Sequence, residues 1–294
     1  MLLLTGATGL VGSALLRRLV AEGTQVRCLV RDPRRLGAQR VRVQIALGDL
    51  TDPPSFRNAM RGVHTVVHLA ASIRDQPRGS IEELNGIATW RMVRAAQRAG
   101  VERFVFFSVL GASTHHRARF FRAKALAEQA VAEADLHSTV FAPSIVYAPG
   151  DPWLTLLERM ALLPVMPVSG QGRATYQPIW AEDVADCVIT ALHAPGSERN
   201  TTERFELAGP QTLSHDEIVR LMLRSQNRGR PLLHIPTPIV SRGLRLLEAT
   251  MGQRAFATWD EAELMEVPML SDRGVADAES LGVRPQQMTA VLGE

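Results

Sequence analysis

Gly6, Gly9 and Gly12 stand at regular spacing in LLLTGATGLVGSALL, where an apolar run gives way to a helical pattern. A glycine there makes a tight turn, a second lets a pyrophosphate reach the backbone, and a third lets helix pack close to strand. The amides at the helix start then face the phosphates. The spacing is GxxGxxG rather than GxGxxG, and a glycine triplet alone is weak evidence. Its place between a first strand and a helix of a βαβ unit is the context a dinucleotide requires. The expected contacts are Gly6, Ala7, Thr8, Gly9, Leu10 and Val11.

An acid that binds the ribose of NAD(H) usually stands about twenty residues further on. Here the chain reads LVRDPRRL. The planar forks of Arg31, Arg34 and Arg35 suit a 2′-phosphate, so NADP(H) is favoured. Asp32 keeps NAD(H) open, because it offers a carboxylate to a ribose hydroxyl. Solvated loop charge is the plainer reading of these arginines. Asp49 and Leu50, in GDL, are expected near the adenine, and Leu69, Ala70 and Ala71 are expected to wall the ribose and phosphates.

Lys124 is the only lysine among 33 lysines and arginines. A compact ammonium with rotatable donors suits ribose hydroxyls better than a rigid guanidinium does. The alternative is a surface lysine on a helix.

Strand and helix signals alternate through the first half. MLLLT, QVRCLV, RVQIALGDL, HTVVHLAA, RFVFFSV and STVFAPSIV read as strands. LVGSALLRRLVAEG, SFRNAMRG, IEELNGIATWRMVRAAQRAG and the segment around Lys124 read as helices. Such alternation predicts a Rossmann-like, doubly wound parallel sheet covered on both faces. Past residue 148 prolines cluster and the pattern loosens. AEDVADCVITALHA then reads as a helix, RFELAG as a strand, and LSHDEIVRLMLRS as a helix opened by a Ser214–Glu217 capping box. The expected division is a nucleotide-binding domain over 1–148, completed by elements within 178–208. Residues 149–177 and 209–294 make a smaller substrate- or partner-binding region.

Composition narrows the classes. Hydrophobic residues make up 46% and charged residues 21% of the 294, as in an ordinary soluble globular protein. The net charge is +3 and no block of like charge occurs, so nucleic-acid binding lacks support. Cys28 and Cys187 match no metal spacing, and no metal site is expected. The chain shows no basic leader before its first apolar run and no membrane-length apolar stretch, so the cytoplasm is the expected compartment. PTPIVSRGLRLLEATMG, with Ile239, Val240, Leu244 and Leu247 opposite Arg242 and Arg245, leaves a peripheral membrane or partner contact open. The apolar residues from Trp153 to Met166 leave open a hydrophobic or quinone-like ligand, although helically spaced apolar residues more often form core.

TGATGLVG, GDLTD, VVHLAA, RFVFFSVLGA, KALAEQAV, APSIVYAPGD, PIWAEDVAD and FELAGP occur in an order that resembles the extended and atypical short-chain dehydrogenase/reductases over nearly the full length. GDPWLTLL, QPIWAEDVAD and ELAGPQTLSHDEIV are similar to the branch of the NADPH-binding accessory subunit of mitochondrial complex I and its bacterial relatives. The resemblance implies that Lys124 holds the nicotinamide ribose, and that Pro143 and Ile145 complete the cofactor contacts. It also implies a tyrosine four residues before the lysine, on the same helix face, to shuttle a proton. That position is Phe120, which has no hydroxyl. The family's serine after strand five falls on Ser108, or by register on Val109. Two readings follow. One is a nucleotide-binding, regulatory or assembly protein with little or no catalysis, linked to respiratory or quinone metabolism. The other is an active NADPH-dependent oxidoreductase or epimerase that uses Lys124 or a loop histidine, His115, for proton transfer.

Overall fold

The computed structural model describes residues 1–194, 200–251 and 258–293, the side chains of 246–251 excepted. Its central sheet holds β1 (Leu2–Thr5), β2 (Val26–Val30), β3 (Gln44–Leu47), β4 (Thr65–His68), β5 (Arg103–Phe107), β6 (His137–Pro143) and a late strand, β11 (Thr202–Leu207). The order is β11-β6-β5-β4-β1-β2-β3, every pair parallel. This is the doubly wound arrangement expected from the alternating signals. The chain reverses direction across the sheet between β1 and β4, which opens a crevice at their carboxyl ends.

The strands carry apolar residues on both faces, as buried parallel strands must. Leu2, Leu4, Val67, Val105 and Phe107 face α1 (Leu10–Ala21) and α6 (Ala181–His193). The alternate residues Leu3, Val66, Phe104 and Phe106 face α2 (Pro53–Arg57), α3 (Ala88–Arg98) and α4 (Arg119–Ala132). Arg18 on α1 pairs with both Glu182 and Asp186 on α6. That late helix is thereby tied to the first one.

The rest of the chain adds short strands and helices beside the sheet. These are β7 (Val146–Tyr147), α5 (Pro152–Met160), β8 (Met166–Ser169), β9 (Thr175–Tyr176), β10 (Ile179–Trp180), β12 (Leu213–Ser214), α7 (His215–Ser225), β13 (Leu232–Ile235), α8 (Thr237–Met251), α9 (Trp259–Leu264), α10 (Ala276–Ser280) and α11 (Met288–Leu292). Most of them enclose a second core around Tyr147, Tyr176, Leu154 and Ile218, whereas α10 packs beside β11 on the first core through Ala278. The Ser214–Glu217 capping box forms as expected, and Thr258–Glu261 makes another. The helix expected over 81–100 opens with a π-helical turn, Glu83–Ile87, before α3. Leu247 lies in α8 but its side chain falls outside the described set, as does Gly252 at the end of the quoted segment.

Candidate functional site

A cleft of about 470 Å³ lies at the carboxyl ends of β1, β2, β3 and β4. Gly6, Ala7, Thr8 and Gly9 form one wall; Arg31, Asp32, Arg35, Asp49 and Leu50 form another; Leu69, Ala70 and Ala71 close it. The glycines have distinct reasons to be there. Gly6 adopts φ +73°, and a Cβ on it would lie 2.7 Å from the Ala70 amide nitrogen. A Cβ on Gly12 would lie 2.1 Å from the Gly6 carbonyl oxygen, so only glycine lets α1 start so close to the turn. Gly9 is the N-cap of α1, and no side chain among the described residues caps it. The first-turn amides of that helix are thus left for an anion at the mouth of the cleft.

Arg31, Arg34 and Arg35 are exposed, and none takes part in an ion pair among the described residues. Arg31 and Arg35 reach the cleft; Arg34 is not part of its wall. The Asp32 carboxylate accepts the Arg34 amide at 3.0 Å and so caps the turn Pro33–Val41. Asp49 accepts both the amide and the hydroxyl of Thr51 at 3.0 Å, and its other oxygen lies 3.9 Å from Arg78. A cradle that a Cβ would fill, an uncapped helix start and exposed guanidiniums in the cleft wall fit a dinucleotide with two phosphates.

Leu10, Val11, Ser108, His115, Lys124, Pro143 and Ile145 lie outside the wall of this cleft. Lys124 is only 2% exposed. Its Nζ donates to the Phe107 carbonyl oxygen at 2.5 Å, and lies 4.8 Å from the Phe106 ring centroid and 5.7 Å from that of Phe120. Burial lowers its pKa to about 7, against a smaller opposing pull from Glu128. Phe120 is half-buried, its ring perpendicular to that of Phe121. Ser108 is buried at the end of β5 and its Oγ has no hydrogen-bond partner among the described residues. His115 is exposed on its loop, while His116 stacks on Phe121 and its Nδ1 accepts the Ala118 amide. Pro143 accepts the Leu110 amide at 3.0 Å, and Ile145 packs on the second core. Tyr147 and Tyr176 are fully buried in that core; burial raises both, and Tyr176 donates to the Met265 carbonyl.

A buried polar network beneath the cleft was not legible from the sequence. His68 is fully buried at the end of β4. Its Nε2 meets Thr89 Oγ1 at 3.1 Å and its Nδ1 meets Thr5 Oγ1 at 2.8 Å. Thr89 donates to the Asn85 carbonyl at 2.7 Å, so it accepts from Nε2–H. Thr5 therefore donates to Nδ1, and its oxygen accepts the amide of Ala70 at 3.3 Å. Burial, reinforced by the charge of Lys124, lowers His68 to about 3 and keeps it neutral. The Asn85 amide in turn holds Ser72, in the cleft wall, through both its backbone N–H and C=O. A histidine in an apolar strand and an asparagine amid a helix were the available signals.

Among the described residues no group of three or more His, Cys, Asp and Glu gathers as a metal site. Cys28 and Cys187 are buried, and burial pushes both thiols up to about 12. No helix among the described residues is long and apolar enough to cross a membrane.

The sheet order and the glycine cradle at its switch point define a dinucleotide-binding α/β protein. Residues 6–195 match the NAD(P)H-binding family, and the chain belongs to it, among the atypical, epimerase-like short-chain dehydrogenase/reductases. It is similar to the mitochondrial NADH dehydrogenase [ubiquinone] 1 alpha subcomplex subunit 9 of Arabidopsis thaliana, 29% identical over 80% of this chain. That match spans 60% of the plant protein, so less than two thirds of its length has a counterpart here. The chain is also similar to sterol demethylase protein B of Methylococcus capsulatus, 30% identical over 86% of this chain and 83% of that one. Its fold is that of the UDP-glucose 4-epimerase of Thermus thermophilus, solved in complex with NAD: TM-score 0.74, 18% identity, 99% of this chain and 96% of that one.

Proposed function

We propose that this chain binds NADP(H) in preference to NAD(H), and that holding the nucleotide, rather than turnover through a tyrosine relay, is its main role. It acts as a regulatory or assembly component linked to respiratory or quinone metabolism. The observation that carries this reading is Phe120. Its ring, 5.7 Å from Lys124 Nζ, stands where the relay needs a hydroxyl. The similarity to a complex I subunit supports the respiratory link, and the unpaired Arg31 and Arg35 support the 2′-phosphate preference. In this reading the glycine cradle binds the pyrophosphate, Asp49 and Leu50 flank the adenine, and Lys124 supports the ribose end from below. Residues 1–148 with 178–208 form the nucleotide-binding part, and 149–177 with 209–294 the part that meets a ligand or partner. A respiratory or peripheral membrane contact through α8, where Ile239 is exposed, belongs to the same reading.

The test is a titration of nucleotide-stripped protein with NADPH and with NADH, followed by nicotinamide fluorescence. NADPH oxidation is then measured against a carbonyl and quinone panel. Tighter NADPH binding without turnover is expected. Equal affinities remove the cofactor preference, and steady turnover moves the chain to the second reading.

That second reading is an active NADPH-dependent oxidoreductase or epimerase that uses Lys124, with the exposed His115 as the alternative proton carrier. A pKa of about 7 on Lys124 and half-buried apolar groups at Phe120, Ile145, Trp153 and Trp180 favour it. So does the similarity to a sterol demethylase protein. A bound nicotinamide supplies hydride chemistry; Lys124 would hold or release the proton at Nζ. Phe120→Tyr discriminates the two. A silent wild type that gains turnover on this exchange supports the first reading, and a wild type already active and unmoved by it supports the second.

A further inference from the structure

On the outer face of α3 the residues at helical spacing are Ile87, Trp90, Arg91, Arg94 and Arg98. Trp90 is 51% exposed and Ile87 44%. Beside them α2 contributes Pro53 and Arg57, and between the two helices runs a groove of about 320 Å³. Phe56 and Met60 lie at its floor and four guanidiniums surround it. The guanidinium of Arg94 stands 5.8 Å from the Trp90 ring centroid. None of the four arginines has an ion pair or hydrogen-bond partner among the described residues. No acidic residue occurs anywhere from 84 to 101. Several arginines elsewhere face carboxylates, Arg17, Arg18, Arg74, Arg117 and Arg119 among them, whereas Arg31, Arg34 and Arg35 near the nucleotide cleft, like these four, face none among the described residues.

Four like charges around one groove repel one another unless something else neutralises them. Guanidiniums on a helix face read carboxylates as bidentate pairs. An exposed tryptophan flanked by arginines has the composition of an interface hot spot rather than of ordinary surface. A bilayer presents a flat face that does not enter a groove between two helices, whereas an extended or helical segment does. A second copy of this chain docked about a two-fold axis would bring arginine against arginine. We propose that the α2–α3 groove is a docking site for an acidic segment of a partner protein, its carboxylates on Arg57, Arg91, Arg94 and Arg98 and an apolar side chain against Trp90. This site is separate from the nucleotide cleft and stands whether or not the cofactor reading holds.

The probe is a fluorescein-labelled peptide of glutamates interrupted by leucine and phenylalanine, with a glutamine-for-glutamate version as control. Anisotropy is followed at low and at raised salt, with wild type, Trp90→Ala and the double variant Arg94→Glu/Arg98→Glu. Both variants alter exposed side chains, and a retained melting temperature and circular dichroism spectrum certify them as folded. Binding of the acidic peptide alone, weakened at least tenfold in the double variant and several-fold in Trp90→Ala, is the expected result. No binding to wild type, or equal binding to all forms, overturns the proposal. Sedimentation with phosphatidylglycerol vesicles and analytical ultracentrifugation complete the test. Vesicle binding or self-association lost in the double variant, with no peptide binding, gives the groove to a lipid surface or to a second copy and overturns it too.

Discussion

The ammonium of Lys124 is 2.5 Å from the carbonyl oxygen of Phe107, the last residue of β5. The one lysine of the chain is therefore tied to the end of a central strand, under a phenylalanine where a relay would need a tyrosine. A cation this deep, with no carboxylate hydrogen-bonded to it among the described residues, is held at a cost.

Lys124→Met removes that cost while keeping most of the volume. Its folded-state pKa, about 7, lies below the ordinary lysine value of 10.5, so between those values the unfolded chain binds the extra proton. Wild-type stability thus rises with pH from about 7 toward 10.5, by roughly 1.4 kcal/mol per unit from this group alone. Denaturant melts of wild type and Lys124→Met across pH 7 to 10 should show that difference in slope, with the variant the more stable at the low end. NADPH affinity should fall in the folded variant, and unchanged affinity would remove Lys124 from the ribose.

His68 behaves likewise on the acid side. Its folded pKa of about 3 lies below the ordinary 6.5, so the unfolded chain binds the extra proton in that window. The neutral ring is fully tolerated above pH 6.5, and stability falls as pH drops toward 3. In His68→Gln the acid limb of the stability profile should flatten by up to one proton, about 1.4 kcal/mol per pH unit. The variant should still be less stable at pH 8, because Thr5 and Thr89 lose fitted partners at a cost of about 1–3 kcal/mol.

Arg31→Ala should weaken NADPH at least tenfold, about 1.4 kcal/mol, and NADH much less. Arg34→Ala is the internal control, since Arg34 lies outside the cleft wall. Equal losses for both nucleotides with Arg31→Ala would take this side chain off the 2′-phosphate.

Gly6→Ala should both destabilise the fold and abolish binding. Its φ of +73° costs a side chain roughly 1–2 kcal/mol, before the clash with the Ala70 amide is counted. Thermal melts and the nucleotide titration read the two effects separately.

The sequence by itself determined the architecture. Apolar runs of strand length alternating with amphipathic helices admit little besides a parallel sheet covered on both faces, and the glycine turn put the nucleotide at its first crossover. The residues that line the cleft were legible for the same reason: Gly6 to Gly9, Arg31, Arg35, Asp49 and Leu69 to Ala71 follow strand ends within a few residues, and parallel strand ends converge on one crevice. Only the tertiary structure decided what is made by contacts between distant segments. Nothing local to Lys124 says that its Nζ lies buried against Phe107. The clasp of His68 between Thr5 and Thr89 joins two strands and a helix. Nor does the sequence around Trp90 say that Arg57, on a different helix, completes a groove with Arg91, Arg94 and Arg98. Burial and pairing depend on what the rest of the chain brings alongside, and a linear pattern carries that information only where neighbours in space are neighbours in sequence.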